Sequence, residues 1–162
     1  MINKLKYIIY GGTSLISIEI IKKIVIENKN KDFFLYIFCR NKKKFAELIE
    51  KNIILLDLNN FKIFEVNILD IKLNISYINE IKSQTRIDGL FFLVGLSIDA
   101  NKDFLNYQNL QETYSVNLIN PAIIINQLTQ IMNGGGFLVV ITSVAGVRGR
   151  KIRISYCSAK AG

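Results

Sequence analysis

Short apolar segments alternate with segments of helical periodicity along this chain. Five of the apolar segments are typical of buried strands, because they are short, nearly continuous and rich in branched and aromatic residues. They are residues 5–10, 33–39, 61–66, 88–94 and 137–142. Such strands, joined by helices, are typical of a parallel sheet covered on both faces. We therefore predict an α/β fold, a doubly wound parallel sheet (Rossmann fold) of about five strands, with residues 1–162 forming one domain.

The helical segments give more specific expectations. The first helix is expected to pack on the sheet through Ile16, Ile20 and Ile24, flanked by Leu15, Ile21 and Val25. Further helices are predicted over residues 41–51, 71–82 and 107–132. Pro121 should kink or loosen the last of these, because proline has no N–H to donate. Gly134–Gly136 is predicted to form a loop before the fifth strand.

Composition excludes several classes of protein. Half of the 162 residues are hydrophobic and 21% are charged, as in a globular protein with a real core. The longest apolar stretch, residues 89–96, is far shorter than the roughly 18 residues of a membrane span. The N-terminus lacks the pattern of a secretion signal, so we expect a cytoplasmic location. Cys39 and Cys157 have no ligand spacing, so we expect buried thiols and neither a disulfide nor a metal site.

The charged and polar residues narrow the chemistry further. The chain has no histidine, which excludes Ser-His-Asp, Cys-His and HExxH catalysis. Its net charge of +8 comes from lysines spread along the chain. Because there is no basic stripe with interleaved aromatic residues, we expect no nucleic-acid partner.

The turn after the first strand is a candidate phosphate-binding loop. It reads Tyr10-Gly11-Gly12-Thr13-Ser14 and leads into the first helix. A helix N-terminus presents free amides and a partial positive charge to an anion, and glycine lets a phosphate approach closely. Glycines at such turns are also common for steric reasons alone, so the spacing leaves both interpretations open.

The turn after the second strand bears on the kind of dinucleotide. In a doubly wound sheet this position meets the adenosine ribose, where an acid favours NAD and an arginine favours NADP. The chain has Arg40 here and no acid, followed by Lys42–Lys44. We interpret Arg40 as an NADP contact, and Lys43 and Lys44 as an ordinary solvated helix face.

The most specific pattern lies near the C-terminus. Ser143 follows the fifth strand, Tyr156 comes 13 residues later, and Lys160 comes four residues after the tyrosine. The second spacing places the tyrosine and the lysine on one face of a helix, one turn apart. A tyrosine and a lysine at this spacing occur by chance on many helices, but together with the serine and the preceding strand the pattern is specific.

These motifs together resemble the short-chain dehydrogenase/reductase family, and within it the group with a Gly-x-Thr-Ser first loop. The resemblance implies that Tyr156 is the general acid and that Ser143 holds and polarises the substrate oxygen. An ordinary tyrosine phenol has a pKa of about 10, so a cation must favour the phenolate. The resemblance assigns that role, and a hydrogen bond to the nicotinamide ribose, to Lys160. It implies that Asn117 positions a water in the proton relay.

The resemblance also implies a set of cofactor contacts. They are Gly11, Thr13, Ser14, Ile16, Arg40, Asn67, Ile68 and Gly95, together with Tyr156 and Lys160. Several positions depart from the family pattern. Leu15 and Ser17 stand where glycines are usual, Asn67 replaces an aspartate that contacts the adenine, and residues 92–94 replace Asn-Asn-Ala.

The function implied is that of an NADP-dependent oxidoreductase that interconverts a ketone and a secondary alcohol, with NAD less favoured. Its partners would be a small carbonyl or alcohol substrate and, in the full-length form, further copies of itself. Four cations lie between the serine and the tyrosine: Arg148, Arg150, Lys151 and Arg153. They are either a solvated loop or a site for the phosphate or carboxylate of an anionic substrate.

The chain ends two residues after Lys160, whereas members of the family continue through further strands and helices. We therefore expect an incomplete domain that lacks the family's last helix and strands, with an exposed fifth strand and little rigid support for the tyrosine and the lysine. One alternative is a catalytically inactive nucleotide-binding remnant or interaction module. An epimerase or dehydratase is less favoured, because the usual first loop of those enzymes has glycines at the positions of Leu15 and Ser17.

Overall fold

The computed structural model describes residues 4–28, 32–52, 57–97 and 106–162, and within them a parallel sheet with helices on both faces. In chain order the elements are β1 (Leu5–Tyr10), α1 (Leu15–Glu27), β2 (Phe33–Cys39), α2 (Lys42–Lys51), β3 (Phe61–Glu65), α3 (Ile71–Gln84), β4 (Ile87–Phe92), α4 (Tyr107–Tyr114), α5 (Asn120–Thr129), β5 (Met132–Val140) and α6 (Ile154–Ala161). The sheet has the order β3-β2-β1-β4-β5, and all neighbouring strands are parallel. The predicted doubly wound α/β class is confirmed.

Strand β1 lies at the point where the strand order reverses. Ile9 pairs with Ile37 of β2 on one side and with Phe91 of β4 on the other. The connections that leave β1 and β4 therefore run in opposite directions and open a crevice at the carboxyl ends of the strands. The loops after β1, β2, β3 and β4 meet at this edge, so the topology places the candidate site there.

Two apolar clusters cover the two faces of the sheet. Ile8 and Ile9 are adjacent in β1 and both fully buried, and they belong to different clusters because successive strand residues point to opposite faces. The first cluster contains Ile78 of α3, and the second contains Ile21 of α1. Burial on both faces explains why the strands show almost no polar alternation.

The packed face of α1 differs from the predicted one. Its buried residues are Ser17, Ile18, Ile21 and Ile24, whereas Leu15 is 76% and Ile16 52% exposed. The prediction included Ile21 and Ile24 but omitted Ile18, because α1 is apolar on more than one side. The hydrogen bonds of the turn before α1 decide which side faces the sheet, and these cannot be read from periodicity.

The expected loosening of the long helix around Pro121 is observed. A single wide turn, Ser115–Ile119, separates α4 from α5, and the N–H of Asn120 donates to the Ser115 carbonyl five residues back. Pro121 has no N–H, so the Asn117 carbonyl lacks the donor that a regular helix would place four residues later. The irregular turn contains Asn117.

The fifth strand begins earlier than predicted, because Gly134–Gly136 is part of it. Met132 pairs with Ile87, and the next pair joins Phe137 to Gly89, so four residues bulge opposite Asp88. Gly135 has a positive φ of 86°, which glycine adopts without strain. The prediction of a separate loop was wrong, because a glycine-rich bulge can stay within a ladder.

Three further features of the structure concern the cysteines, membrane spans and metal-binding groups. Both cysteines are free and buried, as predicted. Within the described ranges, no helix has the length and apolar character to cross a membrane. The same part of the chain contains no group of three or more acidic or cysteine side chains that could hold a metal ion.

Candidate functional site

A cavity of about 250 Å³ lies at the carboxyl ends of β1, β2, β3 and β4. The loops that follow these four strands form its walls. Residues with separate roles line it, including Gly11, Ser14, Arg40, Lys44, Ile68 and Gly95. The lining thus contains most of the cofactor contacts expected from the sequence. Three of them are not in it, namely Ile16, which lies in the exposed first turn of α1, Tyr156 and Lys160.

Both glycines of the first turn are needed for steric reasons. Gly11 has a φ of 100°, and a methyl group at its Cα would lie 3.0 Å from the Leu93 carbonyl oxygen. A methyl group on Gly12 would lie 2.5 Å from Ile37 Cγ2. The turn therefore packs directly on β2 and on the segment after β4, which fixes its position at the edge of the sheet.

Serine at the usual position of the third glycine fits because its hydroxyl is fully bonded. Ser17 is completely buried, and its Oγ donates to the Gly11 carbonyl at 2.7 Å. The Ser14 and Ser17 hydroxyls are 2.6 Å apart, and Ser14 Oγ also caps α1 by accepting from the Ser17 amide. These bonds close the turn without a third glycine.

The start of α1 keeps its anion-binding amides. Among the described residues, the amides of Leu15 and Ile16 have no hydrogen-bond acceptor, as expected for the first positions of a helix. The Leu15 side chain points largely into solvent. The departure from glycine at this position therefore leaves the backbone donors available to a phosphate.

Two cations lie on the opposite wall of the cavity. Arg40 follows β2, and Lys44 is in the first turn of α2, which Asn41 caps by accepting from the Lys44 amide at 2.8 Å. Lys42 and Lys43 are exposed and do not belong to the lining. The sequence interpretation treated Lys44 as part of a solvated helix face; Lys44 is indeed exposed, and it also belongs to the cavity lining.

The serine of the C-terminal pattern is held by a short helical turn, Val144–Gly146. Ser143 Oγ accepts a hydrogen bond from the Ala145 amide at 3.2 Å, so its own proton remains available to another acceptor. A methyl group on Gly146 would lie only 2.4 Å from the Lys160 carbonyl oxygen. The turn that carries Ser143 therefore packs directly on the backbone of the helix that carries Lys160.

Asn117 and Lys160 both face Gly95. A methyl group on Gly95 would lie 3.4 Å from Lys160 Nζ and 3.5 Å from Asn117 Oδ1. Asn117 is buried and bonds the backbone of Leu96 twice, accepting from its N–H at 3.0 Å and donating to its carbonyl at 2.8 Å. Because Gly95 also lines the cavity, these two polar side chains lie at one end of it.

Helix α6 carries Tyr156 and Lys160 and has tertiary support, contrary to the expectation from its length. Its Ala159 is buried, and its Ser158 Oγ lies 2.5 Å from Tyr114 Oη of α4. At the N-terminal end of α6, Arg153 donates to Ser97 Oγ at 3.0 Å. Packing rather than intrinsic helicity stabilises short helices, and these contacts provide it.

Burial affects the charge of Lys160. Its partial burial lowers the pKa of the ammonium below the ordinary value of 10.5, because desolvation penalises the cation. The folded protein therefore releases this proton at lower pH than the unfolded chain does. The charge costs stability below the folded pKa, and the cost disappears as pH rises toward 10.5.

Lys160→Met is accordingly expected to increase the free energy of unfolding at pH 7, only modestly since the ammonium is partly hydrated. Urea titrations from pH 7 to 10 should show the difference from wild type shrinking as pH rises. Lys151→Met, at an exposed lysine, serves as the control and should show no such pH trend. A variant less stable than wild type at pH 7 would contradict the prediction.

The basic loop before α6 divides into two kinds of residue. Arg153 is partly buried and bonded to Ser97, so it links α6 to the segment after β4. Arg148, Arg150 and Lys151 are exposed and form no ion pair within the described ranges. These three cations remain available to an anion.

Residues 7–162 match the family model described as short chain dehydrogenase. A comparison with curated proteins gave no match. A comparison with solved structures gave many matches. Levodione reductase is 20% identical to the chain, with a TM-score of 0.77 over 100% of this chain and 63% of that one.

Two further solved structures have the same arrangement. A short-chain dehydrogenase/reductase from Serratia marcescens is 14% identical, with a TM-score of 0.80 over 99% of this chain and 64% of that one. The protein BdcA, solved in complex with NADPH, is 17% identical, with a TM-score of 0.75 over 97% and 59%. At these identities the likeness shows the fold alone. The chain spans about three fifths of the length of these structures.

Proposed function

Because the chain belongs to the short-chain dehydrogenase family, we propose that it acts as an NADP-dependent oxidoreductase that interconverts a ketone and a secondary alcohol. The main support for this proposal is that Gly95 lines the cavity and also lies next to Lys160 and Asn117. This glycine supports a single site in which the cavity holds part of the nucleotide and the polar groups beside Gly95 serve proton transfer. The cofactor residues proposed are those expected from the sequence, with Lys44 added.

The residues of the cavity fit a phosphorylated dinucleotide. The free amides of Leu15 and Ile16 suit a pyrophosphate, and Gly11 leaves room for its close approach. Arg40 and Lys44 are two cations in the lining, which suits the 2′-phosphate that distinguishes NADP from NAD; the nearby Glu65 carboxylate accepts from the Lys42 amide at 3.1 Å and is not in the lining. Ile68 and Val116 provide apolar contact for a flat base.

The chemistry follows from groups on three elements. The bound dinucleotide supplies or accepts the hydride. Tyr156 donates its phenolic proton to the carbonyl oxygen, and the Lys160 cation stabilises the phenolate that forms. The Ser143 hydroxyl, held by the Ala145 amide, donates a hydrogen bond to the same oxygen and polarises the carbonyl. The Asn117 side chain anchors the Leu96 backbone beside Lys160. The backbone carbonyl of Asn117, which lacks the usual helical donor four residues later, is suited to hold a relay water.

The substrate is proposed to carry a phosphate or carboxylate. Three exposed cations of the loop that joins Ser143 to Tyr156, namely Arg148, Arg150 and Lys151, have no acidic partner in the described part of the chain. An arginine pair can bind such a group with several charge-assisted hydrogen bonds. Equal kcat/KM for neutral and phosphorylated ketones would remove the support for this class.

The cofactor preference can be tested by calorimetric titration of the protein with NADPH and NADH. NADPH is expected to bind at least about tenfold more tightly, because charge-assisted hydrogen bonds to a phosphate are each worth roughly 1.5–3 kcal/mol. Arg40→Ser should remove most of this preference by weakening NADPH binding and leaving NADH binding nearly unchanged.

Lys44 and Lys43 form a matched pair for the same titration. Both are exposed lysines in the first turn of α2, but only Lys44 lines the cavity. Lys44→Ala is expected to weaken NADPH binding several-fold, whereas Lys43→Ala should leave it within about twofold, as for an ordinary surface charge. Equal effects of the two variants would mean that general positive charge, rather than a phosphate site, causes the preference.

A further inference from the structure

The side chain of Tyr10 connects two walls of the cavity. Tyr10 directly precedes Gly11 at the end of β1, and its hydroxyl donates to Asn74 Oδ1 of α3. Tyr10 is 3% and Asn74 0% exposed. Burial raises the pKa of the Tyr10 phenol, so the hydroxyl keeps its proton as the donor in this bond.

Asn74 in turn holds the loop between β3 and α3. Its Nδ2 group donates to the Asn67 carbonyl at 2.9 Å and to the Asp70 carbonyl at 2.7 Å. From the other side, the buried Asn120 of α5 donates to the Ile68 carbonyl at 3.0 Å. Three backbone carbonyls within residues 67–70 of this loop are therefore bound by buried side-chain amides.

This loop forms one wall of the cavity, with Asn67, Ile68 and Leu69 all in the lining. The lining also includes Tyr10 and Gly11, so the same tyrosine belongs to the loop's support and to the phosphate side of the site. A buried polar network with every member satisfied rigidifies its surroundings, because breaking any one bond leaves a buried group unpaired. The resemblance to the family assigns no role to a tyrosine at position 10 or to an asparagine at positions 74 and 120.

We infer that Tyr10, Asn74 and Asn120 are positioning residues that hold residues 67–70 in place as a preformed wall for the base end of the nucleotide. The inference rests on the proposed binding of a nicotinamide dinucleotide. The Tyr10 hydroxyl then affects nucleotide affinity through the position of residues 67–70.

Tyr10→Phe tests the inference, because it removes one oxygen and keeps the ring. That ring stacks on Phe38 and Phe92 with centroids 5.0 and 4.8 Å apart, so its packing should survive. The variant is expected to bind NADPH about tenfold more weakly, the cost of about one lost hydrogen bond. Hydrogen exchange should quicken at the amides of Leu69 and Asp70, which bond within the loop.

Tyr36→Phe is the matched control. Tyr36 is a buried tyrosine of the same apolar cluster on the neighbouring strand, and its hydroxyl has no hydrogen bond within the described residues. This variant should keep wild-type affinity and wild-type exchange in residues 67–70. Asn120→Ala removes the bond to Ile68 from the other side and should reproduce the Tyr10→Phe pattern, so the test does not depend on a single variant.

The outcomes separate this inference from the proposed function. If the wild-type protein binds neither NADPH nor NADH, the proposed function fails and the inference fails with it. If wild type binds NADPH and Tyr10→Phe binds it equally well with unchanged exchange at residues 67–70, only the positioning role is overturned. A lower melting temperature with unchanged affinity would show a structural role alone and would likewise overturn it.

Discussion

Tyr156→Phe is expected to slow carbonyl reduction by about a thousandfold, the usual scale of a positioned general acid. The substitution removes only the phenolic oxygen, so no proton can be donated to the substrate oxygen from this position. Lys160 and Ser143 remain, and each stabilises charge without replacing the lost proton. Steady-state rates with NADPH and a carbonyl substrate measure the effect, which should appear in kcat rather than in the KM for NADPH.

Two controls define this result. Tyr107→Phe removes the same oxygen from a tyrosine of α4 that is 76% exposed, and it should leave the rate unchanged. NADPH affinity of the Tyr156 variant should stay close to that of wild type, because the cavity itself is intact. Retention of more than about a tenth of the wild-type rate would show that another group supplies the proton. If the wild-type protein binds NADPH yet reduces no carbonyl substrate, a nucleotide-binding role without turnover would be favoured.

Gly146→Ala is expected to damage both stability and catalysis. The added methyl group would lie 2.4 Å from the Lys160 carbonyl oxygen and 2.9 Å from its carbon. Both partners are backbone atoms, so no side-chain rotation relieves the overlap and the turn must move away from α6. Overpacking of this kind costs about 1–3 kcal/mol, and each kcal/mol lowers the melting temperature by roughly 2–4 °C at this size. The same movement shifts the turn that carries Ser143 relative to the helix that carries Tyr156 and Lys160, which the proposed mechanism needs to act together.

Gly149 provides a matched control for this substitution in the same loop. A methyl group on Gly149 meets no atom within 4 Å, so Gly149→Ala should change stability by no more than about 0.5 kcal/mol. Thermal melts of both variants and kcat with NADPH test the contrast. Equal melting temperatures would mean that the contact between Gly146 and Lys160 relaxes without cost and does not hold the two parts of the site together.

The sheet was predictable because buried parallel strands have a simple signature. The bounds of β1 and β2 agree with the apolar runs, since strands with both faces covered contain little else. The orientation of α1 and the extent of β5 were not predictable in the same way. A network of three hydrogen bonds around Ser17 sets the first, and a four-residue bulge opposite Asp88 sets the second. Both are tertiary features that periodicity does not contain.

The site shows a similar division. Pairs of residues at fixed spacing in one element, such as Tyr156 and Lys160, can be proposed as a site from the sequence because a helix determines their relative positions. The place of Lys44 at the cavity could not be predicted, because sequence alone does not tell a solvated lysine from an exposed one at the mouth of a cavity. The bond between Tyr10 and Asn74 joins residues 64 positions apart and depends on how α3 packs on the sheet. Only the folded structure shows such a pair.

The position of Tyr10 also has a spectroscopic consequence. The chain contains no tryptophan, so its ultraviolet emission comes from seven tyrosines, and one of them lines the cavity. A reduced nicotinamide ring absorbs in the near ultraviolet, where tyrosine emits, and the buried Tyr10 phenol borders the cavity in which the proposed dinucleotide would lie. Quenching of tyrosine emission should therefore follow occupancy of the site directly, without a label or an introduced tryptophan, and Tyr10→Phe would identify the share of the signal that comes from this one ring.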